Sequence, residues 1–240
     1  MTAPKRDDGA PWRNFYGRRH GKKLRCGQAG LMETLLHDLA PPNIGWDENP
    51  DRTAIDLDAL FPGKEEIWLE IGFGGGEHMI AQAEANPGVG IIGAEPYING
   101  VAKLLAAIKR SGVTNLSVTD HDARDVMDVL PSGSVARVFL LYPDPWPKAR
   151  HHKRRFVNPD NLDQLARVMT PGAHLRIATD IADYVRHTLE VIRLERRFEW
   201  LADGPGEWRK SWEDWPSTRY EEKALREGRE PHYLTFARVT

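Results

Sequence analysis

The sequence is poor in cysteine, in potential metal ligands and in long apolar runs. Cys26 is the only cysteine among 240 residues, which excludes an internal disulfide and favours a reducing compartment. Because Cys26 is the only thiol and the adjacent His151 and His152 point in divergent directions, we expect no metal site. Nowhere do about 18 apolar residues follow one another, and residues 1–30 lack the apolar core of a signal peptide. We therefore expect a cytoplasmic protein with no membrane segment.

Acidic residues are absent between Gly9 and Met32, although the net charge of the whole chain is −2. A segregated group of cations attracts polyanions, and aromatic rings among them can stack on bases. Residues 1–30 are thus a basic arm, either a disordered tail or a nucleic-acid contact, and residues 31–240 are expected to form one domain. As a nucleic-acid contact, the arm would affect nucleic-acid binding and its salt dependence and leave the affinity for any small ligand almost unchanged. Its cations and aromatic residues are Arg13, Arg18, Arg19, Lys22, Lys23 and Arg25 with Trp12, Phe15 and Tyr16.

The rest of the chain alternates between strand-like and helix-like segments. Five apolar segments read as strands, and each is followed by a segment with helical spacing: "EIWLEI", "VGIIGAE", "NLSVTD", "VARVFLLY" and "AHLRIATD". This alternation predicts an α/β fold with a mostly parallel sheet and helices on both faces. The C-terminal "PHYLTFARV" alternates in the manner of a late strand, so the sheet is expected to finish with an antiparallel pair.

Glycines and acidic residues stand where the predicted strands end. Ligands of open α/β sheets bind beyond the carboxyl ends of the strands, so these residues would share one site. One acid at a strand end is usually a helix cap, but a glycine loop with four acids indicates a ligand. The residues are Gly72, Gly74, Gly75 and Gly76 after the first strand, then Glu95, Asp122, Asp144 and Asp180 after the second to fifth.

The spacing of the glycine loop favours one cofactor over another. Residues 72–76 read G-x-G-x-G, tighter than the G-x-G-x-x-G of dinucleotide-binding proteins, and Glu95 follows about 20 residues later, suited to ribose hydroxyls. An acidic rim would repel a pyrophosphate but suits adenosine and an ammonium group. We therefore favour S-adenosylmethionine over NAD, with Asp122 at the adenine amino group and Glu70 near the methionine end.

A rigid acidic turn and a cluster of cations follow the fourth strand. Asp144-Pro145-Trp146-Pro147 is similar to the Asp-Pro-Pro-Tyr turn of methyltransferases that act on exocyclic base amines. The prolines fix the backbone around the Asp144 carboxylate. Trp146 either stacks on an extruded base or caps the core, and the sequence leaves both roles open. The cations that follow suit phosphates flanking a base: Lys148, Arg150, Lys153, Arg154 and Arg155.

Six segments along the chain are similar to the motifs of one known protein family: "LEIGFGGGEHMI", "GAEPYINGVAKLL", "HDARDVM", "YPDPWPKARHHKRRFV", "IATDIADYV" and "STRYEEKALREG". Together they resemble the bacterial tRNA (guanine-N7-)-methyltransferase family, from about Phe15 to the C-terminus, and the Asp-Pro-Trp segment is the most specific of them. The resemblance implies a Rossmann-like, S-adenosylmethionine-dependent enzyme that methylates a guanosine of the tRNA variable loop, at position 46. Monomer and homodimer both stay open.

The resemblance also implies roles for single residues. Asp144 would be the catalytic residue. The cofactor contacts would be Glu70, Glu95, Asp122 and Asp144, beside Gly72, Gly74 and Gly76 of the glycine loop. The tRNA contacts would be Lys148, Asp180, Thr218, Arg219, Tyr220 and Glu221.

The chemistry expected at Asp144 follows from the acceptor atom. Guanine N7 has a lone pair and no proton, so alignment matters more than a general base. The Asp144 carboxylate would hold the guanine N–H edge and stabilise positive charge on the ring. Two other functions remain possible on the sequence: methylation of an exocyclic base amine in another nucleic acid, or RNA binding without catalysis on the same fold. A nicotinamide-dependent oxidoreductase is a more distant alternative.

Overall fold

The structure is a computed structural model that describes residues 13–239, so the first twelve residues of the basic arm, with Trp12, lie outside the described part. Within residues 13–239 the chain forms a seven-stranded sheet. Its strands are β1 (Glu66–Ile71), β2 (Val89–Ala94), β3 (Leu116–Thr119), β4 (Val135–Leu141), β5 (Met169–Thr179), β6 (Phe198–Trp200) and β7 (His232–Arg238).

Helices alternate with the first five strands. In chain order they are α1 (Cys26–Glu33), α2 (Leu35–Leu39), α3 (Leu57–Leu60), α4 (Glu77–Ala85), α5 (Ile98–Ser111), α6 (Ala123–Val129), the 3-10 helix η1 (Ala149–Arg154), α7 (Pro159–Val168), α8 (Ala182–Leu194) and α9 (Arg219–Arg226). Before the sheet, α1 and α2 are separate helices that meet at Thr34. The short β6 and the helix α9 were not predicted.

The strand order is β3-β2-β1-β4-β5-β7-β6. The first five strands pair in parallel, and β7 runs antiparallel to both β5 and β6. The predicted α/β fold with an antiparallel end to the sheet is confirmed. Successive strands step outward in opposite directions on the two sides of β1, which puts a ligand crevice at the carboxyl ends of β1 and β4.

The apolar strands are buried on both faces, which explains their continuous rather than alternating hydrophobicity. Along β4, Val138 and Leu140 pack into one core cluster, whereas Phe139 and Leu141 pack into the other. Neighbouring side chains of a strand point to opposite faces, so β1, β2, β4, β5 and β7 contribute to both clusters. This double packing fixes the strand ends, and with them the polar residues that follow.

Local signals define several helix starts. The side chains of Asp122, Asn158 and Thr218 accept hydrogen bonds from the first turns of α6, α7 and α9. Pro159 occupies the first turn of α7, where its missing N–H costs nothing. Over residues 13–239, none of the helices has the length and apolar character to cross a bilayer, and no group of three metal-ligating side chains is found.

Candidate active site

A cavity of about 430 Å³ opens at the carboxyl ends of β1, β2 and β4. Its volume is in the range of small-molecule sites. It brings together five of the predicted site residues from distant parts of the chain: Gly72, Glu95, Asp122, Asp144 and Tyr220. The other predicted residues do not line it: Glu70, Gly74, Gly76, Lys148, Asp180, Thr218, Arg219 and Glu221.

The glycine loop leaves β1 through left-handed backbone conformations. Gly72, Gly74 and Gly76 have φ values of 71°, 56° and 78°, a region that favours glycine over residues with a Cβ. A Cβ at Gly72 would meet no protein atom within 4 Å, so the missing side chain leaves cavity space open. The Gly74 N–H donates to Glu95 Oε2 at 2.7 Å, which ties the loop to the end of β2.

Glu95 is the carboxylate at the centre of this rim. Its second oxygen accepts from the Tyr97 N–H at 2.9 Å. Burial raises the pKa of Glu95 and outweighs these two hydrogen bonds, while the nearby charges of Asp144 and Glu70 raise it further. Each oxygen retains a lone pair, so Glu95 can accept hydrogen bonds from hydroxyl groups of a ligand.

Asp122 is held by a neighbouring arginine. Its oxygens accept from Arg124 Nε at 2.9 Å and Nη2 at 2.7 Å. Burial acts to raise the pKa of Asp122, but the hydrogen bonds and charge of Arg124 outweigh it and lower the pKa. Arg124 also donates to the Asn14 carbonyl at 3.1 Å, so the Asp122 side of the cavity is linked to the basic arm.

Glu70 lies behind the glycine loop. It is 2% exposed, and its carboxylate lies 2.6 Å from His78 Nδ1 on α4. The His78 ring packs against Phe139 and Trp215, with ring centroids 4.5 and 5.4 Å apart. This buried pair connects β1 to α4 beneath the loop, and Glu70 makes no part of the cavity wall.

Asp144 differs from the other rim acids because no hydrogen-bond donor among residues 13–239 contacts its carboxylate. The side chain is accessible from solvent, yet the cavity walls around it raise its pKa by desolvation. Tyr142 and Trp146, on either side of it, have positive φ values of 50° and 43°. Such backbone is strained for residues with a side chain and persists where the surroundings enforce it.

Arg155 supports this turn from inside the protein. It is 1% exposed, its Nε donates to the Pro145 carbonyl at 2.9 Å, and its Nη2 pairs with Asp183. Arg155 was expected to contact phosphates with the cations around it, but burial makes it a support of the Asp144 turn. Lys148, Arg150 and Lys153 are exposed, as that interpretation requires.

The predicted substrate residues near α9 fall into two groups. Tyr220 faces the cavity, and its ring stacks on Tyr142 with centroids 6.2 Å apart and an interplanar angle of 17°. The others are engaged within the protein. Arg219 pairs with Glu77, Asp180 pairs with Arg229, Thr218 caps α9, and Glu221 accepts from Trp215 and Tyr233.

Comparison with known proteins identifies the family. A family profile described as "Putative methyltransferase" matches residues 64–234. The tRNA (guanine-N(7)-)-methyltransferase of Ruegeria sp. (strain TM1040) is 61% identical over 237 residues, covering 99% of this chain and 92% of that protein. The protein of that name from Paracoccus denitrificans (strain Pd 1222) is 57% identical, covering 97% of each. The chain belongs to the tRNA (guanine-N7-)-methyltransferase family. It is an enzyme of the methyltransferase class.

Solved structures support the fold of this methyltransferase. The 16S rRNA methyltransferase KamB has a TM-score of 0.56 and 17% identity, covering 77% of this chain and 93% of that chain. An rRNA methylase from Streptococcus thermophilus has a TM-score of 0.50 and 11% identity, covering 77% and 92%. At such identities the likeness concerns the fold alone, and it confirms the predicted Rossmann-like methyltransferase fold.

The methyltransferase cavity has one wall that the sequence did not predict. Residues 14–18 of the basic arm line it. Arg13 anchors this segment on α6, where Nη1 lies 2.5 Å and Nη2 2.7 Å from the two oxygens of Asp128. Further along, the Ile98 N–H donates to the Arg19 carbonyl at 3.0 Å, and Asn99 bonds Gly21 and Lys22. The aromatic residues among the arm cations were the only signal of this wall.

Replacing Glu221 by glutamine is expected to destabilise the methyltransferase. The buried carboxylate accepts from Trp215 Nε1, which lies 3.0 Å from both oxygens, and from the Tyr233 hydroxyl. Glutamine replaces one of these acceptor oxygens with an NH2 donor next to the Trp215 N–H. We expect a loss of about 1–3 kcal/mol in the free energy of unfolding, measured by urea denaturation. Glu222→Gln, at the exposed neighbouring position, should change it by less than about 0.5 kcal/mol. Unchanged stability with a higher KM for substrate would contradict this structural role.

Proposed function

We propose that this enzyme transfers a methyl group from S-adenosylmethionine to N7 of a guanosine in the variable loop of tRNA, at position 46. The observation that carries the proposal is the Asp144 carboxylate, which lines the cavity and has no partner among the described residues. A carboxylate kept unpaired beside exposed cations suits a ligand that combines N–H donors with phosphates. The names of the relatives supply the base and the atom.

The residues at the cavity fit the adenosine and amino-acid parts of the cofactor. Glu95 has free lone pairs for ribose hydroxyls, Asp122 is an acceptor just after the neighbouring strand β3, and the open space at Gly72 admits a ligand close to the backbone. Bound S-adenosylmethionine would supply a sulfonium methyl group, which guanine N7 takes with its lone pair while the S–C electron pair returns to sulfur. No proton needs to leave N7.

Asp144 would act on the guanine rather than on a proton. Its carboxylate can accept from the N–H groups of the base and would stabilise the positive charge that develops on the ring. The support from Arg155 and the left-handed residues on either side limit its movement, so the alignment is built before the substrate binds. Tyr220, stacked on Tyr142, offers an aromatic face beside it.

The tRNA backbone would bind along the exposed cations next to the cavity. Lys148, Arg150 and Lys153 belong to the turn and to η1, and exposed Arg18 of the basic arm lines the same cavity. Phosphate contacts of this kind position a substrate without reading its sequence. Selection of the base would therefore be left to the groups around Asp144.

Methyl transfer from labelled S-adenosylmethionine tests the function. Unmodified tRNA should become labelled, and digestion to nucleosides should yield 7-methylguanosine. A variant tRNA with adenosine at the acceptor position should stay unlabelled. Label in an exocyclic amine would indicate the related base-amine reaction, and binding of tRNA without any label would indicate an RNA-binding protein.

Replacing Gly72 by alanine is expected to weaken cofactor binding. The new methyl group would enter the open space of the cavity and would also strain the left-handed backbone, by about 1–2 kcal/mol. Gly63→Ala is the matched control, because Gly63 has the same φ of 71° and equally open surroundings away from the cavity. Both variants should lose similar stability, whereas only Gly72→Ala should show a raised Kd for S-adenosylmethionine in calorimetry. Equal Kd values would remove Gly72 from the cofactor site.

A further inference from the structure

Tyr16 and Trp146 form an aromatic corner at the cavity. Their ring centroids lie 6.3 Å apart, and the ring planes meet at 77°. Tyr16 comes from the basic arm and Trp146 from the turn that holds Asp144, and both line the cavity. Over the described residues Trp146 belongs to neither core cluster, so it does not cap the core. One of the two roles that the sequence left open is thereby excluded.

The aromatic corner already holds a cation. The guanidinium carbon of Arg154 lies 4.5 Å from the Tyr16 centroid and 4.9 Å from the Trp146 centroid. Within residues 13–239 Arg154 pairs with no carboxylate, and its Nε has no hydrogen-bond partner. Two ring faces at a right angle are the geometry in which proteins bind organic cations. Because these two ring faces are the only contacts of the Arg154 guanidinium among the described residues, another cation can displace it.

We propose that the aromatic corner is the binding site of the purine ring as it becomes cationic, and that Arg154 leaves the corner when the acceptor guanine enters. This inference rests on the proposed function. Methyl transfer moves one positive charge from sulfur to the purine, because N7 gives its lone pair to the new N–C bond. The attraction of the ring faces grows as that charge develops, so the corner binds the transition state better than the substrate.

The purine suits the aromatic corner better than the sulfonium of the cofactor does. Trp146 stands two residues after Asp144, the proposed guanine contact, whereas Glu95 and Asp122 stand at the ends of β2 and β3. Exposed Lys153 is next to Arg154 in η1, on the surface that suits RNA phosphates. After leaving the corner, the Arg154 guanidinium is free to join that surface, where a phosphate replaces the ring faces.

Equilibrium binding of two nucleosides tests the corner without turnover. The full-length protein with S-adenosylhomocysteine is titrated with 7-methylguanosine and with guanosine, at a mildly acidic pH that keeps the methylated ring cationic. The wild-type protein should prefer 7-methylguanosine by about tenfold. Trp146→Leu and Tyr16→Leu should lower this ratio towards one, whereas Trp146→Phe and Tyr16→Phe retain a ring face and should keep most of it.

Two further variants sharpen the measurement. Trp46→Leu is the matched control, because Trp46 also lies under an arginine, Arg52, at 4.4 Å but does not line the cavity. The preference of this variant for 7-methylguanosine over guanosine should equal that of the wild type. Arg154→Gln removes the competing cation, so 7-methylguanosine should bind more tightly while tRNA binds more weakly. Loss of both affinities together would mean that Arg154 supports the corner rather than competing for it, against the proposal.

The outcomes separate this inference from the proposed function. The proposal is overturned if the wild-type protein binds 7-methylguanosine and guanosine equally well, or if the preference is retained in both leucine variants. If the leucine variants instead lose the preference for S-adenosylmethionine over S-adenosylhomocysteine, the corner binds the sulfonium and the proposal is also overturned. Failure of the proposed function is a different result, namely no 7-methylguanosine in tRNA treated with the wild-type enzyme.

Discussion

Replacing Asp144 by asparagine is expected to lower kcat by about 100-fold, with little change in the affinity for S-adenosylmethionine. The amide keeps the size of the side chain but loses the negative charge that would hold the guanine N–H edge. Removing one such electrostatic group typically costs 10²–10³ in kcat. Single-turnover methylation of tRNA at saturating cofactor measures the effect directly. Asp163→Asn is the control, an exposed aspartate that pairs with Arg197 away from the cavity.

The same substitution should not unfold the protein, because no group among the described residues depends on the Asp144 carboxylate. Desolvation raises the pKa of Asp144 in the folded state. The folded state therefore holds this proton more tightly than the unfolded chain, and the carboxylate opposes folding once the pH rises above its unfolded pKa. At neutral pH, Asp144→Asn should thus melt at the same or a higher temperature than the wild type. At a pH well below the unfolded pKa of Asp144, the two melting temperatures should be equal. Lost activity together with a lower melting temperature would argue for a structural role.

Deleting residues 1–25 is expected to weaken tRNA binding by on the order of 100-fold at low salt and to flatten its salt dependence. Each phosphate contact that is lost should lower the slope of log K against log salt concentration by about 0.7–0.9. From the sequence, this arm was expected to act on RNA alone. The structure adds an effect on the cofactor, because residues 14–18 line the cavity and Arg124 donates to Asn14. The exposed cations removed are Arg18, Arg19, Lys22, Lys23 and Arg25.

Two variants separate the roles of the arm. Lys22→Gln with Lys23→Gln removes exposed charge but leaves the backbone contacts of the arm, so it should lower tRNA affinity alone. Asp128→Ala removes the two shortest contacts of Arg13, which is left with Asp125 at 3.4 Å, and leaves every arm cation in place, so it should raise the Kd for S-adenosylmethionine. Fluorescence titrations of tRNA and calorimetry of the cofactor give the two affinities. A deletion that changes neither the salt slope nor the cofactor Kd would reduce the arm to a passive tail.

Much of the fold could be predicted because its signals are local. The apolar runs of β1 to β5 exceed what an exposed strand would carry, and the glycines and acids after them mark the strand ends. Residues 66–71 have the predicted boundaries because polar residues and glycines interrupt the pattern there. The short β6 could not be predicted, since three residues form a strand only through their pairing with β7.

The sequence predicted which residues lie at the rim of the candidate site better than it predicted whether each carboxylate has a hydrogen-bond partner. The rim position of Glu95, Asp122 and Asp144 follows from parallel strands that end at one edge. Whether each carboxylate is free depends on partners that fold next to it. Glu70 is hydrogen-bonded to His78 and Asp122 to Arg124, and only the three-dimensional arrangement reveals these partners.

The sequence by itself determined the α/β order, the glycine loop and the acidic turn, because each depends on neighbours within a few residues along the chain. The tertiary structure alone decided that Asp144 has no partner among residues 13–239, that Arg155 is buried beneath it, and that residues 14–18 of the basic arm line the cavity. These outcomes depend on contacts between residues far apart in the chain, such as Arg13 with Asp128 and Tyr16 with Trp146. The local sequence pattern cannot predict such contacts, since burial and pairing are set by the packing of the whole sheet.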